Sequence, residues 1–201
     1  MAQIRFEESL QGSFAMLGKV PSILIPLFGA SVLNLLFSLL VSRRWLLMNW
    51  MLFAVMAIVY LLLLVNMVWV TLLLRHHEEG KSASLRETWI ELSENFGLFL
   101  PALIMVAVIV SLGFFLYLIP GIFLLALFFI TIPQTAVEKT TLDRSLSFLH
   151  RFVFAEKNFL PLLLYAVILF LITLIPWIGS FIAAFLATLW FPYCYLTYGH
   201  H

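Results

Sequence analysis

The chain alternates between long uncharged apolar stretches and short segments that contain its charged residues. The hydrocarbon of a bilayer is about 30 Å thick, so one helical crossing needs about 20 apolar residues. Stretches 20–41 and 45–74 are each long enough for one crossing. Stretches 96–137 and 159–198 are each long enough for two. We therefore predict six membrane-spanning helices.

Breaks in the two longest stretches predict hairpin turns. One lies at Pro120-Gly121 and the other at residues 176–179, which contain Pro176 and Gly179. Proline lacks a backbone N–H and glycine tolerates tight turns, so both positions favour reversal of the chain. We expect residues 42–44 to form the turn between the first two spans.

Each predicted hairpin is preceded by a segment with apolar residues at helical spacing. The three sets are Phe6, Leu10, Phe14 and Leu17; Leu85, Trp89, Leu92 and Phe96; and Leu142, Leu146, Leu149 and Val153. In the second segment, Ser84 and Glu87 have the spacing of a capping box. These segments predict interfacial helices on the cytoplasmic leaflet, or loop helices that cover the bundle; the two interpretations are compatible.

The predicted fold is therefore an all-α polytopic membrane bundle with six transmembrane helices. They form three hairpin repeats, at about residues 4–74, 84–137 and 141–198, in a single domain of residues 1–201. Residues 199–201 end in His200-His201 and are interpreted as the remnant of a purification tag.

Basic residues are distributed unevenly between the two predicted sides of the membrane. Arg43 and Arg44 fall on one side. The other side holds Arg5, Lys19, Arg75, Lys81, Arg86, Lys139, Arg144, Arg151 and Lys157. Because basic residues favour the cytoplasm, we expect both termini to be cytoplasmic in a prokaryotic inner membrane.

Composition supports a membrane environment. The chain is 64% hydrophobic and 10% charged, whereas a soluble domain is about a quarter charged. A net charge of +1 gives no reason to expect nucleic-acid binding. The expected partners are membrane lipids, and a second copy of the chain or another membrane protein.

Short motifs in the second half of the chain resemble a known family. They are Ser84-Leu85-Arg86-Glu87-Thr88-Trp89, Asn95-Phe96, Ile119-Pro120-Gly121-Ile122, Pro133, Glu138, Arg144-Ser145-Leu146 and Asn158-Phe159. Over residues 84–198 the chain is similar to a group of prokaryotic membrane domains. The group includes the YciC-like inner-membrane proteins and the membrane domain found ahead of some glycerophosphodiester phosphodiesterases. Since catalysis in those fusions belongs to a soluble domain, the resemblance implies a membrane module and not an enzyme.

The apolar stretches offer few candidates for chemistry. They contain no charged residue and no histidine, which disfavours proton-coupled transport and intramembrane hydrolysis. We predict no catalytic residue, no cofactor and no metal site, and we expect residues 76–79 to be a solvated loop. Asn34, Asn66 and Gln134 are the candidate ligand-binding residues. The alternative is that they form interhelical hydrogen bonds, worth about 0.6 kcal/mol each.

Two functional hypotheses remain open. The first is a non-enzymatic membrane protein that binds lipid or a membrane partner. Its candidate membrane-interface residues are Leu10, Phe14, Trp89, Phe96, Leu146 and Leu149. The second is a small permease for an apolar or neutral solute, which requires a cavity lined by Asn34, Asn66 or Gln134.

Overall fold

The computed structural model describes residues 3–42, 49–140, 142–176 and 178–199. It is 87% helical, and its described part contains no strand. The predicted all-α fold is confirmed. Predictions for Arg43, Arg44, Trp177, His200 and His201 lie outside the described residues.

Helices occupy the apolar stretches and also the segments that precede the predicted hairpins. They are α1 (Phe6–Lys19), α2 (Leu24–Ser42), α3 (Asn49–Glu78), α4 (Leu85–Glu94), α5 (Phe96–Leu116), α6 (Leu118–Phe128), α7 (Thr131–Glu138), α8 (Leu142–Leu149), α9 (Phe159–Thr173) and α10 (Gly179–Cys194). A 3₁₀ turn, Pro21–Ile23, precedes α2, and π-helical segments follow α8 (His150–Ala155) and α10 (Tyr195–Gly199).

Five helical stretches in the described part of the chain are long and apolar enough to cross a membrane. They are Pro21–Leu39, Met51–Glu78, Phe96–Leu116, Ile119–Glu138 and Gly179–Gly199. Helix α9 has 15 residues, or about 22 Å of helix, which is short for a crossing. It follows the segment Arg144–Ala155 after a bend of 99°, and the bent pair together would make a sixth span. The chain is therefore a polytopic helical membrane protein.

Aromatic side chains of α9 and α10 form the centre of the bundle. Helix α10 contacts α1, α2, α3 and α9. The rings of Tyr165 and Trp190 stack with their centroids 3.8 Å apart, and Phe191 packs against both. All three side chains are almost completely buried. Large aromatic side chains bury more area than any others, so this cluster contributes strongly to stability.

The turn between α5 and α6 lies at Tyr117, which has an extended backbone. The prediction of a turn at Pro120-Gly121 was therefore wrong in position. Pro120 instead occupies the first turn of α6, where its missing N–H costs no hydrogen bond. Gly113 allows α5 and α6 to approach closely, because a Cβ on it would lie 2.9 Å from Cα of Gly121. The second predicted break is confirmed, since α9 ends at Thr173 and α10 begins at Gly179.

The start of α4 also differs from the prediction. Ser84 precedes the first helical residue, but its side chain makes no capping hydrogen bond. Glu87 accepts a 3.0 Å hydrogen bond from Oγ of Ser82 instead. The predicted capping box was therefore wrong: the hydroxyl of Ser84 does not cap the helix, and the carboxylate of Glu87 bonds to Ser82.

Candidate functional site: an apolar cavity and a polar pocket

The helices that precede the hairpins dock on the spans through buried hydroxyl groups. In α1, Oγ of Ser9 accepts a 3.0 Å hydrogen bond from Nε1 of Trp190 in α10. In α4, Oγ1 of Thr88 accepts a 3.0 Å hydrogen bond from Nε1 of Trp69 in α3. Ser9 and Thr88 are both fully buried. These buried hydroxyl groups meet the bundle beside apolar residues of the predicted stripes, such as Phe6 in α1 and Leu92 in α4.

Helix α8 docks in the same manner. Oγ of Ser145 lies 3.0 Å from Oγ1 of Thr135 in α7, and both residues are buried. Helices α4 and α8 each contact the span that precedes them in the chain, whereas α1 contacts the last span. The contact between α1 and α10 therefore joins two elements that are far apart in the sequence.

The six residues predicted at the membrane interface differ in exposure. Three have exposed side chains, namely Phe14 (46%), Trp89 (48%) and Leu146 (40%). Leu10 and Phe96 are half-buried, whereas Leu149 is buried inside the protein. The docked helices therefore present several apolar side chains outward.

A cluster of charged side chains joins α3, α4 and α7. Glu91 lies 3.2 Å from Nη2 of Arg75, 2.9 Å from Nε2 of His76 and 3.2 Å from Nζ of Lys139. Burial alone would raise the pKa of Glu91, but the hydrogen bond to His76 and the charges of Arg75 and Lys139 outweigh it. The pKa of Glu91 is consequently held below its ordinary value.

Sequence reasoning missed this cluster, because its members come from three separate segments. Residues 76–78 belong to α3, so the prediction of a loop there was wrong. His76 is also buried, not solvated. The clue available from sequence was the concentration of charge just after the second apolar stretch.

An apolar cavity of about 540 Å³ lies among α2, α3, α5, α6, α9 and α10. Its inner wall includes Leu63, Phe129, Leu169 and Ala184, which are all buried. At its other limit, Thr173 is exposed at the end of α9. The cavity therefore extends from the middle of the bundle towards the turn between α9 and α10.

Few polar atoms face the cavity. Nδ2 of Asn34 donates a 2.8 Å hydrogen bond to the backbone oxygen of Ser180. Oγ of Ser180 is buried and has no hydrogen-bond partner in the described part of the chain. A free hydroxyl can both donate and accept a hydrogen bond, so it is available to a polar group in the cavity.

The three candidate ligand-binding residues lie in different places. Asn34 lines the apolar cavity. Asn66 donates a 2.8 Å hydrogen bond to the backbone oxygen of Leu62 in its own helix, and it lines neither pocket described here. Gln134 lines a second pocket at the end of α7. The structure therefore does not bring the three side chains together.

The second pocket, of about 350 Å³, is polar. Its lining residues are Gln134, Glu138, Arg144, Ser147, Phe148 and Arg151. Both oxygens of Glu138 are engaged: Oε1 accepts a 2.7 Å hydrogen bond from Tyr195, and Oε2 a 3.0 Å hydrogen bond from Gln134. We call this space the arginine pocket.

Aromatic rings separate the cavity from the arginine pocket. Helix α10 runs from Ala184 in the cavity wall to the π-helical segment, where Tyr195 contacts Glu138. Between these points Phe191 packs on Phe129, with ring centroids 5.5 Å apart. Both rings are almost fully buried, and Phe129 forms part of the cavity wall.

Comparisons with known proteins do not assign this chain to a family. The chain matches no protein-family model, no curated protein and no solved structure. The resemblance in its short motifs therefore stays a prediction. Within the described ranges, no group of three or more His, Cys, Asp or Glu side chains is placed to hold a metal ion. The chain is thus characterised as a polytopic helical membrane protein with an apolar cavity and a polar pocket.

Proposed function

We propose that the protein is a non-enzymatic membrane protein that binds the hydrocarbon part of a lipid in its apolar cavity. The size and wall of that cavity carry the proposal. Its volume of about 540 Å³ lies within the roughly 300–1,000 Å³ of typical ligand sites. Its wall is largely aliphatic and aromatic, with polar groups at Asn34, Ser38, Tyr60, Thr173 and Ser180. This combination suits an apolar chain that carries one polar group.

We also propose where the docked helices lie relative to the membrane. Helices α1, α4 and α8 lie along the cytoplasmic leaflet of a prokaryotic inner membrane, with both termini cytoplasmic. Exposed Phe14, Trp89 and Leu146 support this position, because apolar side chains of interfacial helices insert among lipid headgroups. The concentration of basic residues in and around these helices supports the orientation.

The test is native mass spectrometry of protein extracted in a mild detergent. Ala184→Phe places a ring in the cavity, because Ala184 is buried in its wall. Ala54→Phe is the matched control, because Ala54 is exposed on α3. We expect wild type and Ala54→Phe to retain an apolar species of defined mass, and Ala184→Phe to bind it about tenfold more weakly or worse. Equal retention by the two variants would reject the cavity as the binding site.

A permease for an apolar or neutral solute is the second candidate. It is favoured by one observation, namely that Asn34 lines the cavity. It requires the contact of Phe129 with Phe191 to open, because these rings close the inner end. Proteoliposomes would then show solute flux that Ala184→Phe blocks and Ala54→Phe does not. Flux equal to that of protein-free vesicles would reject the permease.

A further inference from the structure

We infer that the arginine pocket binds a phosphate group whose substituent carries a hydrogen-bond donor. This site is separate from the apolar cavity and shares no lining residue with it. The inference therefore does not depend on whether the cavity holds a lipid.

The pocket is built on one helical face. Arg144, Ser147, Phe148 and Arg151 are spaced i, i+3, i+4 and i+7, so they project from the same side of α8 and its π-helical continuation. Phe148 is buried beneath them, whereas both arginines are exposed. The two guanidinium groups therefore stand at the rim of a pocket with an aromatic floor.

The arginine pocket carries a net positive charge. Neither Arg144 nor Arg151 has an ion-pair partner among the residues that the structure describes. Glu138 is the acidic residue of the lining, and its oxygens accept hydrogen bonds from Tyr195 and Gln134. Two cations against one anion leave a net positive site. Paired guanidinium groups match the geometry of phosphate oxygens, so phosphate is the expected anion.

The buried side-chain oxygen of Gln134 indicates that the ligand also carries a hydrogen-bond donor. Gln134 is 2% exposed, and its Oε1 has no hydrogen-bond partner in the described part of the chain. A buried carbonyl oxygen without a donor destabilises the folded state. A hydroxyl or ammonium group next to the phosphate would supply that donor. A polar lipid headgroup and a small phosphate ester share this chemistry.

The position of the pocket makes a headgroup accessible to it. Glu138 ends α7, and the next residue, Lys139, pairs with Glu91 in the charged cluster. The pocket thus lies at the charged end of the bundle. Lipid phosphates occupy the polar layer just outside the hydrocarbon.

The experiment uses delipidated protein in a maltoside detergent, which contains no phosphate. The probes are phosphatidylglycerol, phosphatidylmethanol, glycerol 3-phosphate and oleate, and binding is measured by thermal shift and native mass spectrometry. We expect phosphatidylglycerol to bind more tightly than oleate. Arg144→Gln with Arg151→Gln should weaken phosphatidylglycerol binding at least about tenfold. Lys19→Gln with Arg86→Gln removes the same charge from exposed positions outside the pocket, and binding should stay within about twofold.

Further variants separate the parts of the inference. Ser147→Glu places a carboxylate at an exposed position of the lining, so it should weaken binding without disturbing the fold. Gln134→Leu should abolish any preference for phosphatidylglycerol over phosphatidylmethanol, which lacks the headgroup hydroxyls. In an Ala184→Phe background, Arg144→Gln with Arg151→Gln should still weaken phosphatidylglycerol binding at least about tenfold, which distinguishes this site from the cavity.

The outcomes are decisive in both directions. Binding of the lipid alone identifies a headgroup, and equal binding of glycerol 3-phosphate identifies a free phosphate ester; both support the site. Wild-type affinity in Arg144→Gln with Arg151→Gln and in Ser147→Glu would overturn it. Equal binding of oleate and phosphatidylglycerol, or no binding by any phosphate probe, would also overturn it.

Discussion

The indole Nε1 of Trp190 donates a 3.0 Å hydrogen bond to Oγ of Ser9, although the two residues are 181 positions apart in the sequence. Both are fully buried. The ring of Phe6 lies beside them, 6.3 Å from that of Trp190 between centroids. This contact attaches α1 to the last span.

The energy of this contact can be measured by a double-mutant cycle. Ser9→Ala leaves the indole N–H buried without an acceptor, so we expect it to cost about 1–3 kcal/mol of unfolding free energy. Combined with Trp190→Phe, the cycle should give a coupling energy of about 0.5–1.5 kcal/mol in detergent micelles. Ser93→Ala is the control at an exposed serine, and should stay within about 0.5 kcal/mol of wild type. Additive effects of Ser9→Ala and Trp190→Phe would show that the hydrogen bond carries no specific stability.

The packing of α1 against α10 also depends on Gly12, which lies next to Tyr193. A Cβ on Gly12 would overlap the hydroxyl of Tyr193, so Gly12→Ala must displace that ring. We expect α1 to detach more often, and trypsin to cleave at Lys19 several times faster than in wild type. Gly18→Ala is the matched control in the same helix, because a Cβ there meets nothing within 4 Å. Equal cleavage rates in the two variants would contradict the model of close packing between α1 and α10.

The close approach of α5 and α6 gives a prediction about stability. A Cβ on Gly113 would lie 2.9 Å from Cα of Gly121 and 2.7 Å from Cδ1 of Leu124. Because one of these atoms is backbone, we expect Gly113→Ala to destabilise the fold by about 1–3 kcal/mol. Gly97→Ala, also in α5, meets nothing within 4 Å and should be neutral or stabilising by up to about 1 kcal/mol. Thermal unfolding of both variants checks this, and a stable Gly113→Ala protein would refute it.

The charged cluster predicts a dependence of stability on pH. Because the pKa of Glu91 is lowered in the folded protein, its charged form stabilises the fold above the ordinary glutamate pKa of about 4.3. That stabilisation is lost as the pH falls below this value, towards the lowered pKa. Glu91→Gln should therefore unfold at lower temperature than wild type at pH 7, because Arg75, His76 and Lys139 lose their common partner.

The pH series also supplies the control. The difference between wild type and Glu91→Gln should shrink as the pH is lowered below the ordinary glutamate pKa of about 4.3, because Glu91 then takes up a proton. Glu94→Gln removes an exposed carboxylate from the same helix, and should show no such change with pH. A difference that stays constant from pH 7 to pH 3.5 would exclude ionised Glu91 as its source.

The membrane-spanning helices could be predicted from sequence because they depend on local composition. Charge-free length alone predicts a membrane helix: α3 covers most of stretch 45–74, and α5, α6 and α7 together occupy stretch 96–137. The turn at Tyr117 was not readable in the same way. Proline and glycine mark both turns and the first turn of a helix, so Pro120-Gly121 could not distinguish the two.

The two pockets could not be predicted from sequence, because the residues that line them are far apart along the chain. Asn34 and Asn66 are both asparagines within apolar stretches, and nothing local shows that one faces a cavity while the other bonds to its own helix. The two arginines of the arginine pocket are readable as a helical pair. Their position beside Gln134, however, follows from how α8 docks on α7.

The link between α1 and α10 has a consequence for biosynthesis. A ribosome completes Ser9 long before Trp190, and every hairpin is translated between them. The nascent amphipathic segment therefore stays without its hydrogen-bond donor, the indole of Trp190, until the final hairpin is synthesised. The docking of α1 on α10 can therefore be completed only after α10 has been synthesised.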